Sequence, residues 1–229
     1  MKALGIVFSN IHDANLPELV RLRTLASIPF GGRYRLIDFA LSNMVNSGIT
    51  KVGVITKRNY QSLMDHVGSG KDWDLARKDG GLIILPPFGD RGSDTLYNSR
   101  LEALKSITGF LRHADEDYVV MTDCDNVCRI NYNDVIEYHR ISKADITLVY
   151  RKNAMEEDNA VTLSVGSDGR VSALKYESKA EAENNVFANI YVMKRSLLQN
   201  LIMDSLASNY RHFTTDLLTA NVKSMRIMA

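Results

Sequence analysis

Short hydrophobic runs, separated by segments with helical spacing, dominate the first two thirds of the chain. Near-continuous hydrophobicity over five or six residues is typical of parallel strands that are buried on both faces. The runs of this length are Ala3–Phe8, Val52–Thr56, Gly81–Leu85, Tyr118–Thr122 and Ile146–Tyr150. They predict the strands of one central sheet.

Between these runs, hydrophobic residues recur at the spacing of an amphipathic helix, and polar or glycine residues stand where helices begin and end. The pattern predicts three helices with candidate caps: Leu36–Val45 ending at Gly48, Thr95–Leu111 after Ser93 or Asp94, and Asp134–Ser142 after Asn131 or Asn133. Strands that alternate with helices favour an α/β domain, in which ligands bind outside the carboxyl ends of the strands.

After residue 150 the pattern changes from alternation to a hairpin. Ala160–Val165 and Val171–Tyr176 flank Asp168-Gly169, a pair typical of tight hairpin turns. A further strand is predicted at Val186–Met193 and a helix at Ser196–Leu206. The expected fold over residues 1–229 is therefore one α/β domain, with a Rossmann-like, mostly parallel sheet flanked by helices and an added β-hairpin region.

Composition narrows the function classes. The 229 residues are 45% hydrophobic and 24% charged, with a net charge of +1, which is ordinary for a globular protein and gives no case for a nucleic-acid surface. No apolar run approaches the length of a membrane span. Two cysteines fit a reduced, cytoplasmic setting better than a disulfide scaffold. The five histidines form no metal-spaced cluster, and the sequence assigns them no role.

One stretch carries a specific signature. Residues 28–49 read IPFGGRYRLIDFALSNMVNSGI. This stretch resembles the sugar-phosphate nucleotidyltransferases, and within them the ADP-glucose pyrophosphorylases of bacterial glycogen synthesis, which carry PFGG, an IDF run, LSN and NSGI in this order. The resemblance implies a nucleotide-diphospho-sugar transferase fold that joins glucose 1-phosphate to ATP and releases pyrophosphate. It covers nearly the whole chain.

The preceding stretch, LGIVFSNIHDANLPELVRLRTLAS, stands where that family places a glycine-rich phosphate loop. The resemblance puts the family's loop glycines at Asn10, Ile11 and Asp13, and these positions are the expected nucleotide-binding loop. Glycine is needed where the backbone takes a positive φ close to phosphate, and a β-branched residue resists that conformation. Losing one such electrostatic group costs about 3–4 kcal/mol of transition-state stabilisation, so little turnover is expected.

The other family motifs are also changed. The resemblance retains Arg23 as a catalytic arginine, whereas the lysine of the same motif has become Leu25. By the resemblance, Ser99 and Arg100 replace a Gly-Thr pair at the nucleotide-binding position, which is expected to put a bulky side chain where the base or ribose should approach. The expected sugar-phosphate contacts, by the same resemblance, are Glu177 (subject to a one-residue shift in the match), Asn189 and Tyr191.

The metal positions are better preserved. By the resemblance, Asp125 is a catalytic and metal-binding carboxylate, vestigial if the loop no longer works, and Asp216 is the second metal ligand. Carboxylates with waters and phosphates suit Mg²⁺, which is expected if any activity or nucleotide binding is retained. A lone D-x-D, such as Asp123 to Asp125, would more simply be a turn or a helix cap; the signature at 28–49 favours the metal position.

Changes at ligand positions beside an intact scaffold favour a non-catalytic, regulatory type of subunit, paired with a catalytic ADP-glucose pyrophosphorylase subunit and tuning its response to glycolytic effectors. Its other expected ligands are ATP, glucose 1-phosphate and ADP-glucose, in a hetero- or homo-oligomer without nucleic acid or membrane. Two alternatives stay open: a weakly active pyrophosphorylase, and a D-x-D metal-dependent glycosyltransferase. The family's C-terminal left-handed β-helix is missing after Ala229, which suggests a fragment.

Overall fold

The strands of the structure, a computed structural model, follow the predicted runs closely. The structure describes residues 2–86, 97–152, 156–208 and 210–229. Its strands, in chain order, are β1 (Ala3–Phe8), β2 (Pro29–Phe30), β3 (Tyr34–Arg35), β4 (Lys51–Ile55), β5 (Gly81–Leu85), β6 (Tyr118–Asp123), β7 (Ile146–Lys152), β8 (Glu157–Val165), β9 (Val171–Ala180), β10 (Asn185–Lys194) and β11 (Ile227–Met228).

The helices lie between these strands, as the alternating pattern predicts. They are α1 (Leu36–Asn46), α2 (Gln61–Val67), α3 (Arg100–Ser106), α4 (Thr108–Arg112), α5 (Tyr132–Ile141), α6 (Arg195–Ala207) and α7 (Thr219–Asn221), with one π-helical segment at Phe213–Leu218. No helix in these ranges has the length and apolar character that crossing a membrane requires.

Nine of the described strands form one mixed sheet. Seven follow each other in the order β11-β7-β10-β6-β1-β4-β5, and the β8–β9 hairpin joins through β10. The pairs β1–β4, β1–β6, β4–β5 and β7–β11 are parallel, whereas β10 runs antiparallel to β6, β7 and β8. The predicted mostly parallel sheet with helices and an added hairpin is confirmed.

Hydrophobic side chains cover both faces of the sheet, which explains the uninterrupted apolar runs. Along β1, Leu4, Ile6 and Phe8 lie in one buried cluster, and Val7 lies in the other. The first cluster includes residues of α3, α4 and α6; the second includes residues of α1, α2 and α5. The sheet is thereby covered by helices on both faces. The loops at the carboxyl ends of its parallel strands stay uncovered, and a ligand site is expected there.

The first predicted helix is confirmed, including its end. The side chain of Asp38, in the first turn of α1, accepts a hydrogen bond from the backbone N–H of Arg35 at 2.9 Å. Gly48 follows the helix with φ +72°, the left-handed conformation that ends many helices. The apolar side chain of Phe30, in the same signature, is predicted to lie in the core, but it is 45% exposed and contacts Phe39 edge-on.

The helix predicted over Thr95–Leu111 is interrupted. The Ser93 or Asp94 cap lies outside the described residues, and so does the beginning of the helix. Within them, Ser99 is the cap of α3, accepting a hydrogen bond from the Glu102 N–H at 3.2 Å. The helix breaks at Ile107, where the hydroxyls of Ser106 and Thr108 bond back to backbone carbonyls. Such side-chain bonds compete with helical geometry.

The third predicted helix and the hairpin have clear local causes. Asn131, and not Asn133, caps α5, with its side chain accepting from the Asn133 N–H at 3.1 Å. The hairpin turn is held by Asp168, which accepts from the Arg170 N–H at 3.0 Å, and Gly169 has φ +80°. The strands of the hairpin are longer than predicted because they continue to pair beyond the apolar segments.

His139, near the end of α5, provides a test of packing through pH. Its side chain is 2% exposed and bonds the Thr147 hydroxyl at 2.9 Å. Burial lowers the pKa of His139; Asp145 opposes that shift, and Lys194 adds to it. Because the folded pKa is lowered, the stabilisation is complete above the unfolded pKa, about 6.5, and is lost as the pH falls.

We therefore expect His139→Gln to reduce the loss of unfolding free energy between pH 7 and pH 5, measured by urea denaturation at each pH. His113, which is exposed, serves as the control, and His113→Gln should leave the pH dependence as in the unmodified chain. Equal pH dependence in the His139→Gln variant and the unmodified chain would show that His139 is not the titrating group.

Candidate functional site

The site expected at the carboxyl ends of the strands is built from three neighbouring loops. β1 pairs in parallel with β4 on one side and with β6 on the other. The residues that follow these strands, Ser9–Asp13, Thr56–Arg58 and Cys124–Asn126, therefore meet at one edge of the sheet. Residues far apart in the chain become neighbours here because parallel strands end at the same edge.

Asn10 ties the loop after β1 to the loop after β4. Its side-chain oxygen accepts hydrogen bonds from the Thr56 hydroxyl at 2.9 Å and from the Lys57 N–H at 3.0 Å, and also from Ser9. Its amide nitrogen donates to Asp13 at 2.8 Å. The buried Asn10 side chain thus holds the two loops together through hydrogen bonds within the protein.

The loop after β1 has none of the backbone geometry of a glycine-rich loop. Asn10, Ile11 and Asp13 all have negative φ, and residues 13–15 form a single 3₁₀ turn. The Asp13 carboxylate accepts from Asn10 and from the Leu25 N–H at 3.1 Å. Burial raises the pKa of Asp13, while these bonds oppose the shift. Ile11 packs against the core. These residues support one another, so the segment is a folded turn of its own.

His12 joins the two aspartates at the end of β6. Its Nδ1 lies 2.7 Å from Asp125 Oδ2, and its Nε2 lies 3.6 Å from Asp123 Oδ2. Burial opposes charge on His12, but the hydrogen bond to Asp125 and both carboxylate charges raise its pKa. Burial likewise opposes ionisation of Asp125, and the bond from His12 lowers its pKa. His12 and Asp125 thus form a hydrogen-bonded pair in which each partner favours the charged form of the other.

Arg100 is the buried partner of Asp123 in the same cluster. One terminal nitrogen donates to both oxygens of Asp123, at 2.8 and 2.6 Å. The guanidinium also lies over the rings of Phe8 and Tyr191, at 5.2 and 5.5 Å from their centroids. Burial opposes its charge, yet Asp123 raises the pKa of Arg100. Arg100 was expected to block the nucleotide; its side chain instead points into the protein and neutralises Asp123.

Tyr191 packs against Arg100 on the buried side of this cluster and has no exposed surface. Its hydroxyl bonds the Thr214 hydroxyl at 2.6 Å, and its ring stacks edge-on against Phe187 and Phe213. A side chain that is fully enclosed cannot contact a sugar phosphate in this conformation. The expected substrate contact at Tyr191 is therefore replaced by a role in supporting Arg100.

Asp216 is used differently from the expected metal ligand. Its carboxylate accepts from the backbone N–H groups of Arg211 and His212, at 3.0 and 2.9 Å, and from Thr215. Although partial burial opposes it, these bonds lower the pKa of Asp216. Among the residues that the structure describes, the group of possible ion ligands within 4.8 Å of one another consists of His12, Asp123 and Asp125, without Asp216.

The remaining expected residues lie at the borders of the site. Asn189 takes φ +55° at a bulge of β10, beside the Ala188 carbonyl that Asn126 binds at 2.8 Å. Glu177 is half-buried on β9. Arg23 is half-buried, and its side chain makes no hydrogen bond or ion pair with the described residues. Their roles stay predictions. Ser99 serves as the helix cap described above.

His12 and Lys57 are the residues that sequence reasoning missed. The half-buried Lys57 lies 5.6 Å from the centre of the Tyr97 ring; burial lowers its pKa, and Asp13 opposes that shift. His12 and Asp125 are separated by 113 positions, so spacing along the chain carries no sign of their contact. Their common place after β1 and β6, two adjacent parallel strands, was the available signal.

The donor set does not fit Mg²⁺ in this arrangement. The ion prefers octahedral oxygen ligands and keeps several waters. His12 offers nitrogen, and its imidazole already lies 2.7 Å from Asp125; Asp123 is neutralised by the buried Arg100. The spacing within 4.8 Å would admit an ion, but the ligand chemistry is that of two ion pairs.

Comparisons with known proteins agree with the fold and the motifs. Residues 17–228 match the nucleotidyl transferase family. A glucose-1-phosphate adenylyltransferase of Thermotoga maritima is 37% identical over 179 residues, which cover 78% of this chain and 42% of that protein. The enzyme of the same name from Thermosipho melanesiensis is 33% identical over 230 residues, covering 99% and 56% respectively. The chain spans about half the length of the curated relatives that it matches.

Proposed function

The chain belongs to the nucleotidyl transferase family, and from this premise we propose that it is the nucleotidyltransferase-like domain of a glucose-1-phosphate adenylyltransferase-type subunit of bacterial glycogen synthesis. Its own site is catalytically impaired, and it acts by regulating a catalytic partner subunit in a hetero-oligomer. The relatives carry the name glucose-1-phosphate adenylyltransferase and support the substrate class, ATP and glucose 1-phosphate. The free cysteines, Cys124 and Cys128, fit a reducing cytoplasm.

One observation carries the impairment: the polar groups at the carboxyl edge are already bonded to one another. Asn10 and Asp13 hold the loop, Arg100 holds Asp123, and His12 holds Asp125. Nucleotidyl transfer depends on preorganised donors and cations that face the phosphates. Groups that are turned inward can stabilise the fold of a subunit, but they contribute little to a transition state.

We expect the chain alone to release no pyrophosphate from ATP and glucose 1-phosphate above background, measured with a coupled pyrophosphate assay. Added to the catalytic adenylyltransferase subunit of the same organism, it should change that subunit's response to phosphorylated effectors. An Asn15→Gly variant, altered at an exposed loop position, is the matched control and should regulate as the unmodified chain does. Absence of both association and kinetic effect would overturn the proposal.

A weakly active enzyme is the second candidate, and the ionised state of Asp125 favours it. The side chain is 33% exposed, and the bond from His12 keeps its pKa low. If this candidate is correct, pyrophosphate release by the chain alone should be detectable and should vanish in Asp125→Asn. The glycosyltransferase alternative has less support, because the first aspartate of its D-x-D, Asp123, is buried on Arg100.

A further inference from the structure

The two carboxylates at the end of β6 have protein cations as partners. Asp123 is 2% exposed and shares both oxygens with one nitrogen of Arg100. Asp125 faces the loop after β1 and pairs with His12 at 2.7 Å. Each carboxylate of the D-x-D thus has a nitrogen-bearing side chain of the protein as its partner.

Arg100 cannot easily withdraw from this arrangement. It is 8% exposed, it lies between the rings of Phe8 and Tyr191, and Tyr191 is itself fixed by Thr214. A buried guanidinium without its carboxylate would be an uncompensated charge. The charge of Asp123, the more deeply buried of the two carboxylates, is therefore neutralised by Arg100.

His12 is the partner of Asp125, the more exposed of the two carboxylates. Its ring bridges the two aspartates, with Nδ1 toward Asp125 and Nε2 toward Asp123. The imidazole therefore occupies the space from which an ion would reach both carboxylates. The His12 ring is 29% exposed and therefore lies at the solvent side of the cluster, whereas Arg100 is buried.

We propose that His12 and Arg100 take the place of a divalent cation at this edge of the sheet, and that His12 is what keeps such ions out. The inference deepens the proposed function and rests on that function for the choice of this site. Both acidic residues are then held by contacts within the chain, which gives them a structural role. His12, which no sequence motif singles out, then has the decisive role in metal exclusion.

The test uses Mn²⁺ alone, an oxygen-preferring divalent ion whose free form is counted by electron paramagnetic resonance. The single variant Asp125→Asn, which keeps His12, should bind Mn²⁺ within about twofold of the unmodified chain, because Asp125 is not available as a ligand while His12 contacts it. His12→Gln should strengthen binding at least about tenfold, because the imidazole then no longer covers Asp125 Oδ2 and the carboxylate attracts the divalent ion unopposed. The gain should disappear in the His12→Gln, Asp125→Asn double variant.

His66 offers a matched control, because it forms a similar pair with Asp38 at 2.6 Å, away from this site. His66→Gln should bind Mn²⁺ as the unmodified chain does. Binding that is weakened by His12→Gln would make His12 a ligand and overturn the proposal. So would Asp125-dependent binding in the unmodified chain, a result that does not require the His12 variant to fold.

The outcome is separate from that of the proposed function. Mn²⁺ binding needs neither turnover nor a partner subunit, so a chain that excludes the ion but does not affect a catalytic subunit would contradict the regulatory role alone. A chain that regulates its partner but binds Mn²⁺ through Asp125 would contradict the metal exclusion alone.

Discussion

Replacing Arg100 by methionine is expected to lower the free energy of unfolding by about 3–5 kcal/mol. Methionine fills much of the same volume between Phe8 and Tyr191, but Asp123 loses its hydrogen bonds at 2.8 and 2.6 Å. The buried carboxylate then keeps only the longer contact with His12, at 3.6 Å. Urea denaturation followed by circular dichroism measures the change. The large size of the effect comes from the carboxylate left behind, more than from the lost contact itself.

The double variant Arg100→Met, Asp123→Asn separates these two contributions. Removing the orphaned charge should recover a large part of the loss, as is commonly found when both members of a buried pair are replaced. Arg140→Met is the matched control: Arg140 pairs with Glu137 on the surface, where water screens the charges, and a far smaller change than in Arg100→Met is expected. If Arg100→Met were as mild as Arg140→Met, Arg100 would not be a buried counter-ion.

Replacing Asn10 by glycine, which restores the residue type of a phosphate loop, is expected to lower the free energy of unfolding by about 3 kcal/mol. The side chain is buried, and its loss leaves Thr56, the Lys57 N–H and Asp13 without a partner. Glycine also adds backbone freedom to the unfolded chain. We expect no gain of pyrophosphate release, because the backbone at Asn10 does not take a positive φ.

Asn15→Gly is the control for this change, since Asn15 is exposed at the end of the same turn and its side chain makes no hydrogen bond with the described residues. It should change stability by about 0.5 kcal/mol or less. Thermal and urea denaturation would measure both variants. Turnover in Asn10→Gly, or stability equal to that of Asn15→Gly, would mean that Asn10 is not the structural tie between the loops.

Local pattern was sufficient for the elements because their causes are local. Hydrophobic runs gave β1, β5 and β6 nearly to the residue, and Gly48 ended α1 as its residue type predicts. The helix over Thr95–Leu111 failed at Ile107, where competing hydroxyl bonds outweighed a continuous apolar pattern. The prediction of a core position for Phe30 was also wrong, because an aromatic residue in a tight turn can pack edge-on against Phe39 while staying exposed.

The candidate site was predictable in location but not in chemistry. Motif resemblance brought Asn10, Asp125 and Arg100 to one region, and the structure places all three at or beside the carboxyl edge of the sheet. It had no means of showing that Arg100 turns inward, because the direction of that side chain depends on Phe8, Tyr191 and Asp123, which come from three other strands or strand ends.

The amino-acid sequence by itself determined the kind of fold, the family and the departures from its motifs, since these depend on residue types and on periodicity over short distances. Only the tertiary structure decided what those departures do. Pairing of His12 with Asp125 spans 113 positions, and that of Arg100 with Asp123 spans 23. Charges interact through space, so their partners are set by which strands end side by side, and no local pattern in the chain records that.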